Sequence, residues 1–109
     1  IENLNRVNTK TINVLGTYKT NAIVEITPSI DLVDLRLDGL ANDPIIIKNL
    51  KQGKKIIIDG KEGTVLEEGI NKFDDTDFWE FPFLTPGTNT ITLNKNSCDV
   101  VIKYEPRYL

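Results

Sequence analysis

Residues 87–104 read Gly-Thr-Asn-Thr-Ile-Thr-Leu-Asn-Lys-Asn-Ser-Cys-Asp-Val-Val-Ile-Lys-Tyr, and their reading decides the fold. In the first half, Asn89, Ile91 and Leu93 alternate with Thr88, Thr90, Thr92 and Asn94. In the second, Val100, Ile102 and Tyr104 alternate with Asp99, Val101 and Lys103. A period of two places successive side chains on opposite faces of a strand, so each segment buries one face and wets the other.

Working outward, the same period recurs. Val33, Leu35 and Leu37 alternate with Leu32, Asp34 and Arg36, and Ala22, Val24 and Ile26 form another apolar face. Ile45–Ile47 and Ile56–Ile58 are unbroken β-branched runs, which fit strands covered on both faces. Punctuation is dense: Pro28, Asp38-Gly39, Asp43-Pro44, Gly53, Asp59-Gly60, Gly63, Gly69 and Pro86-Gly87. Asp59–Gly63, between Ile58 and Val65, reads as a hairpin. About eight strands follow, near 11–15, 20–27, 31–37, 44–48, 54–59, 63–68, 88–94 and 98–105. Helical periodicity is not sustained anywhere, and at most one helical turn fits near 70–76. The expected class is all-β, an antiparallel β-sandwich of the jelly-roll or galectin-like kind spanning 11–109. Residues 1–10 are polar and are expected to be a loose connection from a missing N-terminal domain, since the chain opens at Ile1 and contains no methionine.

Composition excludes much chemistry. The 109 residues include no histidine and one cysteine, Cys98. Ser-His-Asp and Cys-His nucleophilic sites, His-ligated metals and a Cys-rich zinc site all fall away. Without a histidine partner, Cys98 reads as a small buried apolar residue. The net charge of -3 and scattered basic residues argue against nucleic acid, whose binders carry a basic stripe. The cluster Lys51, Lys54 and Lys55 around Gly53 reads as a solvated turn. No apolar run approaches the ~20 residues of a membrane helix.

Two constellations remain. Asp74-Asp75-Thr76-Asp77-Phe78-Trp79-Glu80-Phe81-Pro82-Phe83 combines four acids with four aromatics. The acids lack the glycine of a calcium-binding loop and the separation of a glycosidase pair, so a solvated loop is the expectation. The aromatics are expected to tuck against the sandwich and close one end of its core, with Trp79 the one most apt to escape. Phe81 and Phe83 alternate, and Pro82 between them suits an edge. In Pro86-Gly87-Thr88-Asn89, proline and glycine set a turn whose backbone the Asn89 side chain can bond. No glycine-rich phosphate cradle occurs, and no cofactor or metal is expected.

Three segments together carry a family resemblance: IIIDGKEGTV (56–65), NKFDDTDFWEFPFLTPGTNTITL (71–93) and VVIKYEPRYL (100–109). With Gly16-Thr17-Tyr18 and Ala22–Ile26 upstream, the chain resembles the siphophage distal tail proteins, or siphovirus tail components. The motif carriers are Phe78, Trp79, Phe81, Pro82, Pro86, Gly87 and Asn89, together with the terminal Pro106-Arg107-Tyr108. The resemblance implies a C-terminal domain like galectins or carbohydrate-binding modules, projecting from a ring, commonly hexameric, that the N-terminal half builds. It implies a structural, non-enzymatic baseplate part in the virion tail tip, made in the bacterial host's cytoplasm. The partners implied are other tail and baseplate proteins, with no nucleic acid or membrane. The present chain, lacking the ring-forming half, is expected to be monomeric. The alternative is a carbohydrate-binding module for a bacterial cell-wall glycan, with Trp79 as the contact.

Overall fold

The computed structural model describes residues 2–108. In chain order the strands are β1 (Glu2–Asn5), β2 (Thr9–Val14), β3 (Thr20–Asn21), β4 (Ile23–Pro28), β5 (Leu32–Asp38), β6 (Ile45–Leu50), β7 (Ile56–Asp59), β8 (Thr64–Glu67), β9 (Ile70–Asn71), β10 (Thr76–Asp77), β11 (Phe83–Leu84), β12 (Gly87–Leu93) and β13 (Cys98–Lys103). Phe73–Asp75 forms a single 3-10 turn, within the expected window. No helix among the described residues is long and apolar enough to cross a membrane.

All the strand pairs are antiparallel. One sheet runs β1-β13-β4-β7-β8-β9, the other runs β10-β6-β5-β12-β2, and β11 pairs with β3 in a small third ladder. The two large sheets face each other across one core, so the fold is a β-sandwich. Val24, Ile26, Ile56, Ile58, Val100 and Ile102 point inward from the first sheet, and Leu35, Leu37, Ile45, Ile47, Ile91 and Leu93 from the second. Each is at most 2% exposed. Burying such a side chain contributes roughly 1.5–3 kcal/mol, so the alternating strands carry most of the stability.

The structure corrects the sequence expectation in four places. The segment 1–10 is not loose over its described part. Glu2–Asn5 pairs with Asp99–Ile102 and buries Leu4 completely. A strand with one apolar residue among polar ones leaves too little periodicity to read. Segment 20–27 is two strands, because the Ala22 backbone leaves the ladder: its N–H donates to the Pro82 carbonyl and its carbonyl accepts from the Gly60 N–H. The isoleucine runs are not sealed on both faces. Ile46 and Ile57 are half-buried, lying on outer faces beside cross-strand neighbours such as Arg36 and Glu25. Finally, Val33 is 81% exposed although it shares a phase with Leu35 and Leu37. The phase switches there: Leu32 packs on the core and Leu50 is buried, while Asn49 adopts φ 56°, a left-handed conformation asparagine tolerates.

Candidate functional site

Loops gather around the β7–β8 turn. That turn is locked by Asp59, whose carboxylate accepts from the N–H groups of Lys61 and Glu62 at 2.9 Å each. Its backbone carbonyl accepts from Gly63 at 2.8 Å, and Gly63 has φ 74°. Gly60 packs so tightly that a Cβ would lie 2.3 Å from the Pro82 carbonyl oxygen and 2.6 Å from that of Ala22. The hairpin, the β3–β4 break and the aromatic loop are thus locked into one unit.

The aromatic loop divides as its chemistry requires. Phe78 and Phe81 pack against the core and meet edge-to-face, with centroids 5.0 Å apart. Phe73 completes the cluster at 5.8 Å from Phe78 and 6.1 Å from Phe81. Aromatic pairs at such spacings add to stability beyond the area they bury. Pro82 is buried; Phe83 is half-buried, donates from its N–H to the Leu40 carbonyl at 2.7 Å, and carries the Lys19 ammonium 5.1 Å from its ring. Trp79 stands out from this support with 87% of its surface exposed. Its neighbour Glu80 accepts from the Asn42 N–H at 3.3 Å.

The loop's acids do not converge. Among the described residues, no three histidine, cysteine or acidic side chains group to hold a metal ion. Asp75 accepts from the buried Lys72 ammonium at 3.0 Å and from Asn49 at 3.3 Å, and the Lys72 hydrogen bond holds its carboxyl below the usual range. The remaining Lys72 contacts are the Asn49 carbonyl at 2.9 Å and the Glu67 carboxylate at 3.5 Å. This is a structural pin between β6 and the loop.

The Pro86-Gly87 turn follows. Asn89, 8% exposed, donates to the Thr85 carbonyl at 2.7 Å and the Gly87 carbonyl at 3.2 Å. Its amide oxygen accepts from the Thr85 N–H and hydroxyl at 3.1 Å each. Gly87 has φ 95°, which a side chain would strain, while Pro86 is exposed. Asn89 therefore maintains the turn and is not available to a ligand. Cys98 is 1% exposed, and burial, with Asp99 beside it, pushes its thiol up to about 11.

One feature escaped sequence reading because its walls are far apart in the chain. A cleft of about 530 Å³ opens between Thr20–Ile23 and the C-terminal segment Lys103–Arg107, with Lys61 also lining it. The segment is held in place by the Arg107 carbonyl, which accepts from Thr17 N–H at 2.8 Å and Tyr18 N–H at 3.2 Å. The Thr20 hydroxyl donates to the Glu105 carbonyl at 2.6 Å.

Residues 15–108 match the model of one protein family, described as siphovirus-type tail component, C-terminal domain. Among solved structures the chain is similar to the crystal structure of SPP1 Dit (gp 19.1), described as a paradigm of the hub adsorption apparatus in phages infecting Gram-positive bacteria. The TM-score is 0.74 at 6% identity, covering 95% of this chain and 44% of that one. Such low identity carries the fold alone, and the chain spans less than half that protein's length. No curated protein matches the chain.

Proposed function

Since the chain belongs to the siphovirus-type tail component family, as its C-terminal domain, we propose that it serves as the outward domain of a distal tail hub, joining the tail tube to receptor-binding or tail-tip proteins. The family match over 15–108 is the observation that carries this reading. The proposed work is done by surfaces and not by catalysis. In this reading the longer protein forms a homo-hexameric ring through a preceding domain. The present domain is then monomeric by itself and faces other baseplate proteins at the tail tip. Synthesis in the bacterial host's cytoplasm precedes assembly.

Trp79 is the proposed partner contact. A large exposed aromatic on a rigid base loses little conformational entropy on binding, which is why tryptophan dominates interface hot spots. Phe78, Phe81 and Pro82 supply that base, and Pro86, Gly87 and Asn89 fix the chain that follows. A carbohydrate-binding module remains the second reading, on the exposure of Trp79 alone, and the family match favours the first. The test is fractionation: tails purified free of heads and soluble protein should contain this domain in fixed ratio to the tube protein. Loss of the domain during purification would count against the proposal.

A further inference from the structure

We propose that the cleft beside the C-terminal segment is an acidic-peptide groove, taking a carboxylate-bearing extended segment of a neighbouring tail protein. This rests on the structural reading above and names the chemistry of one of its contacts.

The charge balance carries the inference. The chain is net negative at -3, yet the cleft wall presents Lys61, Lys103 and Arg107 against the single lining carboxylate of Glu105. Lys103 is committed to Glu25 at 2.6 Å. Lys61 and Arg107 form no ion pair among the described residues. With Lys103 offset by Glu25, Lys61 and Arg107 outweigh Glu105 by one positive charge, a local excess that draws an anion and repels a basic segment.

Arg107 and the Lys61 backbone are positioned before any ligand arrives. The Arg107 guanidinium lies 5.2 Å from the Tyr18 ring centroid and reaches the Lys19 carbonyl at 3.5 Å, while its backbone carbonyl is held by Thr17 and Tyr18. Lys61 projects from the turn that Asp59 locks. A guanidinium already oriented can donate two parallel hydrogen bonds to a carboxylate, and less freedom is lost on binding.

Size and walls select the ligand. About 530 Å³ is far more than one phosphate or sulfate needs, and lies within the roughly 300–1,000 Å³ of sites for larger ligands. Two extended backbone segments form the walls, and the half-buried Ile23 and Tyr104 offer apolar surface for the methylenes of a glutamate or for a neighbouring side chain. An extended peptide with one or two carboxylates matches that shape and charge.

The test is an NMR titration of the isotope-labelled chain with three probes: an eight-residue Glu/Asp-rich peptide, its Gln/Asn counterpart, and inorganic phosphate. The acidic peptide should shift the amides of Asn21, Lys61, Tyr104 and Arg107, with affinity falling as salt rises. The K61Q/R107Q variant should bind at least tenfold more weakly. Its fold is protected, because Lys61 is exposed and Arg107 anchors through its backbone; a native-like spectrum checks this. Equal binding of the neutral peptide, or no shift at these amides, overturns the proposal. Phosphate saturating the same amides as tightly as the peptide overturns it in favour of a phosphate-bearing ligand. Purified tails that contain the domain, without peptide binding, would sink the groove alone, whereas peptide binding with the domain missing from tails would sink the tail-hub reading.

Discussion

Gly60 sits directly against the carbonyl of Pro82, with room for a hydrogen and none for a methyl group: a Cβ would fall 2.3 Å from that oxygen. Through this contact the β7–β8 turn and the aromatic loop, more than twenty residues apart, become one rigid end of the sandwich. Gly60→Ala should therefore force one of the two backbones to move and cost about 1–3 kcal/mol, the range of overpacking changes. Denaturant unfolding measures this, and an unchanged midpoint would show that the contact is loose.

The aromatic loop separates stability from recognition. Phe81→Ala removes a ring packed on the core and on both Phe73 and Phe78, and should cost about 3 kcal/mol or more. Trp79→Ala should change stability by no more than about 0.5 kcal/mol, as exposed substitutions do. Fluorescence of this sole tryptophan should have the emission of a water-exposed indole and be quenched readily by iodide. A protected, blue-shifted Trp79 would remove it as a partner contact.

Asn89 makes four hydrogen bonds within one turn. Asn89→Ala leaves the Thr85 N–H without its acceptor beside a mostly buried site and should cost about 1–3 kcal/mol. Asn89→Asp should also destabilise, because the two donated bonds to carbonyls become repulsive contacts. Thermal unfolding of the pair distinguishes a turn-holding asparagine from a solvated one.

These positions show what could be read from sequence. The Asp59–Gly63 hairpin, the bonding of Asn89 to its own turn and the escape of Trp79 each follow from chemistry within a few residues. So did the sandwich, because alternation in 22–26, 88–94 and 99–104 needs no distant partner to be recognised. The strand holding Leu4, the phase switch at Asn49 and the cleft beside Arg107 depend on contacts between segments far apart in the chain. Gly60 was legible as a turn residue, but its contact with Pro82 was not.

The outer face of the first sheet holds a charge network that acid should break. Glu25 accepts from Lys103 at 2.6 Å and pairs with Lys55 at 3.4 Å. The Lys103 hydrogen bond is the main cause of its carboxyl lying below the ordinary glutamate value, against an opposing push from burial. A carboxyl depressed in the folded state stabilises above its unfolded pKa and loses that contribution as pH falls through the folded one. Stability of the native chain should thus decline below the ordinary glutamate range, and Glu25→Gln should flatten that limb. A Glu25→Gln curve parallel to the parent's from neutral pH to pH 3 would show that the network contributes nothing.

Cys98 should be inert. With its side chain buried and its thiol pushed up to about 11, almost no thiolate forms near neutral pH. Labelling by a thiol reagent at pH 8 should be slow in the native chain and immediate once the chain is unfolded. Rapid native labelling would place β13 among the locally open parts of the sandwich.

The most direct test of the tail assignment is immunogold electron microscopy of phage particles from the source strain, with antibody raised against this domain. Gold clustered at the host-proximal end of the tail is the predicted result. Bare particles, with the antigen found free or on cells, would contradict it.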